Sequence, residues 1–157
     1  MKFTLLIIGK TNQDFIQEGI GLYKKRVERY IPFKIMTVPE IKKSVNLNQD
    51  DVKMKEAKSV LKKVPAPELL ILLDEKGHHY NSKEFARFLE KQMISCPKNI
   101  TFLIGGAYGF SSELYKRSDY IISLSKMTFS HQLACLIFME QFYRAFTIIR
   151  GEPYHHG

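Results

Sequence analysis

The segment "ITFLIGGAYGFSSELYKRSDYIISL", Ile100 to Leu124, decides the architecture. It opens as a dense apolar run at Ile100–Ile104, turns through Gly105, Gly106 and Gly109, offers a short helix beginning near Ser111, and returns to a second apolar run at Tyr120–Leu124. Strand, helix, strand is the pattern of a crossover unit. The same alternation extends in both directions. Phe3–Ile8 reads as a strand rich in branched residues, and Gln13–Tyr30 has helical spacing. Phe33–Val38 is a second strand, followed by a polar loop at Pro39–Asn48 and a charged helix at Gln49–Lys63 that "VPAPE" breaks. Leu69–Leu73 is a third strand, and "NSKE" at Asn81–Glu84 has capping-box spacing and opens a helix carrying Phe85, Phe88 and Leu89. The last helix spans about Ser130–Ile149. Several strands are apolar without strict alternation, so both faces of the sheet must be covered. The expectation is a single α/β domain over residues 1–157, a mostly parallel sheet with helices on both faces. Ligands of such sheets gather beyond the carboxyl ends of the strands. Here those ends are Leu73-Asp74, Gly105-Gly106 and Leu124-Ser125.

At 157 residues the chain can bury a core without disulfide or metal staples. Its formal charge is +8, and the surplus lies in the first half: residues 1–63 carry 14 bases and 7 acids, residues 64–157 only 10 and 9. A basic field favours polyanions such as nucleic acid or an acidic membrane surface. Cys96 and Cys135 stand far apart, with no CxxC pair and no His/Cys cluster at metal-ligand spacing. Reduced thiols, no metal and a cytoplasmic location are expected. The apolar run Phe3–Ile8 is too short for a signal peptide and Leu133–Met139 far too short to span a bilayer, so the chain is read as soluble, without a membrane partner.

The residues able to carry chemistry lie late in the chain. The glycine cluster lets a ligand approach the backbone closely, but GxGxxG and GK[ST] are both missing from this turn. In "LSKMTFSH", Leu124–His131, Ser130 suits a helix N-cap, while Met127 and Phe129 suit the walls of a pocket for a flat ligand. His131, in the first turn of the helix, reads more readily as a satisfied structural histidine than as a base. The final helix is apolar on almost every face and needs more cover than a small domain provides, which points to a homodimer. Glu140 and Arg144 are four apart and can pair along that helix, or Arg144 can hold a phosphate. Tyr154 can stack on a base, and His155 and His156 can contact phosphate or accept a proton. Lys24, Lys25, Arg26 and Arg29 form a basic face suited to RNA phosphates.

Taken together, "KFTLLIIGK" (Lys2–Lys10), "LLDEKG" (Leu72–Gly77), "FLIGGAYGF" (Phe102–Phe110), "SLSKMTFSHQL" (Ser123–Leu133) and "EQFYRAFTIIRGEPYHH" (Glu140–His156) resemble one family over the whole chain. It is the bacterial large-subunit ribosomal RNA pseudouridine N3-methyltransferases, small members of the SPOUT class. The resemblance implies an enzyme that uses S-adenosylmethionine to methylate N3 of a pseudouridine in the RNA of assembled ribosomes, a C-terminal trefoil knot and a homodimer. It implies cofactor contacts from Leu73, Gly105, Leu124, Ser125, Lys126, Met127, Thr128 and Phe129. Arg144, Tyr154, His155 and His156 become the substrate-facing part, completing a site begun on the other subunit, with His155 as the candidate base. Three positions depart from the family pattern: Ser130 stands where proline is usual, Cys135 where arginine is usual, and His156 where lysine or arginine is common. The rival readings are a non-catalytic basic RNA-binding module and a nucleotide-binding dehydrogenase or hydrolase; the missing GxGxxG and GxSxG motifs argue against the latter pair.

Overall fold

The structure, a computed structural model, describes residues 1–157. Ten elements follow in order: β1 (Phe3–Ile8), α1 (Asp14–Val27), β2 (Phe33–Val38), α2 (Gln49–Lys63), β3 (Leu69–His79), α3 (Ser82–Ser95), β4 (Ile100–Ile104), α4 (Ser112–Arg117), β5 (Tyr120–Ser123) and α5 (His131–Ile149). The strands make one sheet in the order β2-β1-β4-β3-β5 with every pairing parallel. The unbroken apolar runs have a simple cause. In β1, Phe3, Leu5 and Ile7 enter a core with Phe102, Phe138 and Phe142, while Leu6 and Ile8 enter a second core with Val60, Leu103 and Phe110. Helices α1, α3 and α5 cover the first face, and α2 and α4 the second. The capping box expected at Asn81 with Glu84 opens α3, and the structure adds a second, Asn48 with Asp51, that opens α2. Each such cap contributes about 0.5–2 kcal/mol to its helix.

Three boundaries differ from the sequence expectation. Helix α1 ends at Val27, so Arg29 lies in the turn beyond it rather than on the helix, and β5 ends at Ser123, leaving Leu124 in the loop. The larger difference is in β3, which does not stop at Leu73. It bulges and resumes, so that Ile122 of β5 pairs first with Leu73 and then with His78. Gly77 makes this possible, since a Cβ there would fall 2.5 Å from the Ile122 backbone nitrogen. Helix α5 turns Cys135, Phe138, Met139, Phe142, Ala145 and Phe146 into the core of its own chain. Leu133 is exposed, and Leu136, Ile137, Ile148 and Ile149 are only half-buried, which leaves an apolar margin uncovered. No helix is long and apolar enough to cross a membrane.

Candidate active site

At the carboxyl ends of β3, β4 and β5 the chain encloses a cleft of about 680 Å³, the size of an ordinary small-molecule site. Six of the eight residues expected to hold a cofactor line it: Leu73, Gly105, Leu124, Ser125, Met127 and Phe129. Lys126 and Thr128 do not border it. Thr128 instead donates its hydroxyl to Glu75 at 2.8 Å, tying the loop to the β3 bulge. The loop also braces itself, because Ser123 donates to the Ser125 carbonyl at 2.9 Å and Met127 N–H to Ser125 Oγ at 2.9 Å. The opposite wall is the glycine turn, and its floor is bare backbone for a steric reason. A Cβ on Gly105 would meet the Phe110 ring at 2.8 Å, and one on Gly106 the Glu56 carboxylate at 3.1 Å.

Two acids from the bulge, Asp74 and Glu75, face this cleft and carry the only negative charges on its lining. Asp74 accepts from Lys76 N–H at 2.8 Å and from the Tyr115 hydroxyl. Burial, reinforced by that carboxylate, holds the Tyr115 hydroxyl well above the ordinary tyrosine range, so it stays a donor. Glu56 is 2% exposed and accepts from Ile41 N–H at 3.2 Å. Burial raises its carboxyl above the usual range, with Glu40 adding to the shift. Sequence reading named Asp74 only as a strand end and missed Glu75 and Tyr115 as lining, and it missed Glu56 packed against Gly106. Only "LLDEKG" at a strand end signalled Asp74 and Glu75.

A second cleft, about 780 Å³ and lined mainly by polar residue types, lies at the ends of β1 and β2 and shares Gly106, Ala107 and His131 with the first. Ser130 caps α5 as expected, accepting from Leu133 N–H at 3.4 Å. His131 departs from expectation. It is not a satisfied structural histidine, because its Nε2 is buried and has no hydrogen-bond partner. An unpaired buried polar atom costs about 1–3 kcal/mol and needs an explanation.

The tail forms a separate cluster around Glu140. Arg144 donates to Glu140 through Nε at 3.1 Å and a terminal nitrogen at 2.6 Å, and Tyr154 donates to the same carboxylate at 3.1 Å. The Arg144 guanidinium also lies over the Tyr154 ring, 4.8 Å from its centroid. Its remaining terminal nitrogen is 3.1 Å from His155 Nδ1. Because arginine can only donate, Nδ1 accepts and a neutral His155 carries its proton on Nε2. His156 is exposed. The ion pair along α5 is therefore present, and Glu140 is its hub. The basic turn joins this cluster: the Arg26 guanidinium is 5.4 Å from the Tyr143 ring centroid, and Tyr143 packs edge-on against Tyr154 at 4.7 Å. Lys25 and Arg29 are exposed, whereas Lys24 pairs with Glu28 at 2.9 Å. Cys135 contributes nothing to either surface. It is fully buried, its thiol 3.3 Å from the His131 carbonyl and pushed up to about 12 by burial.

The tail and the cofactor-type cleft are far apart within one chain. His131 and Arg144 are thirteen positions apart on α5, about 20 Å at 1.5 Å per residue.

Comparison with known proteins adds a family and a set of relatives. A family model described as "Predicted SPOUT methyltransferase" matches residues 1–155. The chain is 49% identical over 156 residues to the "Ribosomal RNA large subunit methyltransferase H" of Parabacteroides distasonis, covering 99% of both proteins. The proteins of that name from Cytophaga hutchinsonii and Christiangramia forsetii are 48% and 46% identical, again over 99% of this chain and 100% and 99% of theirs.

Proposed function

The chain belongs to the SPOUT methyltransferase family, and from that premise we propose that it methylates large-subunit ribosomal RNA with S-adenosylmethionine, at N3 of a pseudouridine in the assembled ribosome. One observation carries the reading. The cleft at the ends of β3, β4 and β5 is built from the loops expected to hold the cofactor, in a chain matched along its whole length by ribosomal RNA methyltransferases.

The residues of the cleft fit such a group. Leu73, Leu124, Met127 and Phe129 offer apolar walls for a flat heterocycle, and the glycine turn offers backbone that no side chain shields. Asp74 and Glu75 supply negative charge suited to a cationic sulfonium. Lys126 and Thr128 belong to this loop as well, Thr128 by fixing its shape through Glu75. When bound, the cofactor supplies a methyl group activated on sulfur. The protein's own contribution is to hold the acceptor nitrogen against it and to exclude water, and positioning of this kind can lower a barrier by about 7–11 kcal/mol.

Arg144, Tyr154, His155 and His156 form the RNA-facing part, continued by Lys24, Lys25, Arg26 and Arg29. The contiguity of the two sets through Tyr143 supports this. His155 serves as a base only after releasing Arg144, since its other nitrogen bears the proton; as arranged it donates. The separation of about 20 Å between tail and cleft supports a homodimer in which the tail of one subunit faces the cleft of the other, as does the uncovered margin of α5. The reading also includes a single SPOUT domain over residues 1–157, a C-terminal knot and a cytoplasmic location. Mass-spectrometric mapping of ribosomes from cells with and without the protein tests it. One N3-methylated pseudouridine in the large-subunit RNA should disappear, and an unchanged RNA would overturn the proposal.

A further inference from the structure

The cleft at the ends of β3, β4 and β5 reaches from one face of the sheet to the other. Toward α5 its lining includes Leu124, Met127, Phe129 and Ala134. Toward the opposite face it includes Lys53 of α2 and Ser112 and Tyr115 of α4. The fixed charges are unevenly placed between these ends. All four lysine and acid side chains of the lining, Lys53, Asp74, Glu75 and Lys76, come from α2 and the β3 bulge, and none from α5 or the loop leading into it. Tyr115 draws part of this set together, because its hydroxyl donates to Asp74 and its ring centroid lies 5.9 Å from the Lys76 ammonium.

The two acids are engaged by the protein itself. Asp74 accepts from Lys76 N–H and from Tyr115, and Glu75 accepts from the Thr128 hydroxyl at 2.8 Å. The two ammonium groups are not. Lys76 makes no ion pair, and the only carboxylate near Lys53 is Asp50, 3.7 Å away on the same helix and mostly exposed. An ion pair that long and that wet contributes little. The cleft therefore offers a ligand two cations without firm partners, and a ligand that uses them must bring an anionic group.

S-adenosylmethionine has one anionic group, the carboxylate of its amino-acid end; its heterocycle is neutral and its sulfonium and amine are cationic. We infer that Lys53 and Lys76 bind this carboxylate, so that the amino-acid end of the cofactor lies toward α2 and α4 and the heterocycle toward Leu124, Met127 and Phe129. This rests on the methyltransferase reading above and adds two residues to the eight expected to hold the cofactor. It also gives the cleft a basis for selection. Two unpaired lysines favour the intact cofactor over a relative that has lost the carboxylate and carries only positive charge on its chain.

Calorimetry on the full-length protein tests this by comparing S-adenosylmethionine with its decarboxylated form, which keeps the sulfonium and the amine and lacks only the carboxylate. A solvent-accessible ion pair contributes up to about fivefold, so the wild type should favour the intact cofactor by about 5- to 25-fold. Combining Lys53→Gln with Lys76→Gln should bring the two affinities within about twofold of each other, chiefly by weakening the intact cofactor. Equal affinities in the wild type would overturn the inference. So would a preference that survives in the double variant, whether or not overall affinity falls, since lysines that merely shape the cleft would weaken both ligands alike. The wild-type comparison needs no variant and decides even if the double variant fails to fold. A wild type that binds neither ligand would sink the cofactor reading itself, whereas binding without preference removes only the role of the two lysines.

Discussion

Replacing Gly105 by alanine tests how the cleft is built. The added Cβ would lie 2.8 Å from Phe110 Cε1 and 3.0 Å from Cζ. Carbon atoms pack at about 3.5–4.0 Å, so the ring or the turn must retreat by roughly 0.7–1.2 Å. Phe110 has little freedom to do so. It is 5% exposed, packed with Leu103 and Leu114, and perpendicular to the Tyr115 ring at 5.9 Å. Tyr115 in turn donates to Asp74, on the lip of the cleft. Overpacking of this kind costs about 1–3 kcal/mol. In a domain of this size each kcal/mol moves Tm by about 2–4 °C, so Gly105→Ala should melt about 2–12 °C below wild type.

The strain should also reach the ligand, because the ring that must move leads through Tyr115 to Asp74. Calorimetry should therefore find weaker S-adenosylmethionine binding in the same variant. Gly21→Ala is the control. Gly21 lies inside α1, and a Cβ added there would have nothing within 4 Å, so alanine should raise stability by up to about 1 kcal/mol and leave binding alone. A Gly105→Ala protein that melts at or above wild type and binds the cofactor equally well would refute the packing argument.

Two further outcomes follow from the charged groups. Burial raises the Glu56 carboxyl, so the unfolded chain loses its proton first as pH climbs past about 4.5, and wild-type stability is lost from there up to the folded value. Glu56→Gln does not titrate; its Tm relative to wild type should rise with pH across that window, and a difference that stays flat would mean the carboxylate is solvated after all. Reversing Lys25 and Arg29, both exposed, should weaken ribosome binding and reduce the slope of log affinity against log salt by roughly 0.7–0.9 for each phosphate no longer neutralised. An unchanged slope would remove this turn from the RNA interface.

What the sequence made legible depended on how local each cause was. β1 and β4 begin and end where the apolar runs do, because burial on both faces leaves no exposed position to blur the boundary, whereas the edge strand β2, with Thr37 exposed, is bounded by Pro32 and Pro39. α2 and α3 start where their capping boxes start. The cleft was legible for a related reason: in a parallel sheet every carboxyl end lies along one edge, so the loops after β3, β4 and β5 share that edge whatever the strand order. The continuation of β3 through Lys76, Gly77, His78 and His79 carried no apolar signal, since those residues are largely exposed and pair only because β5 passes alongside. His131 is the sharper case. Its type and its place at a helix start are plain in the sequence, and both favour a satisfied ring. Whether Nε2 has a partner depends on segments far away in the chain, down to the hydrogen bond between Gln132 and Asn12 across 120 residues. A residue type can be read locally, but an unmet hydrogen bond belongs to the whole fold and shows only once every segment around the ring is in place.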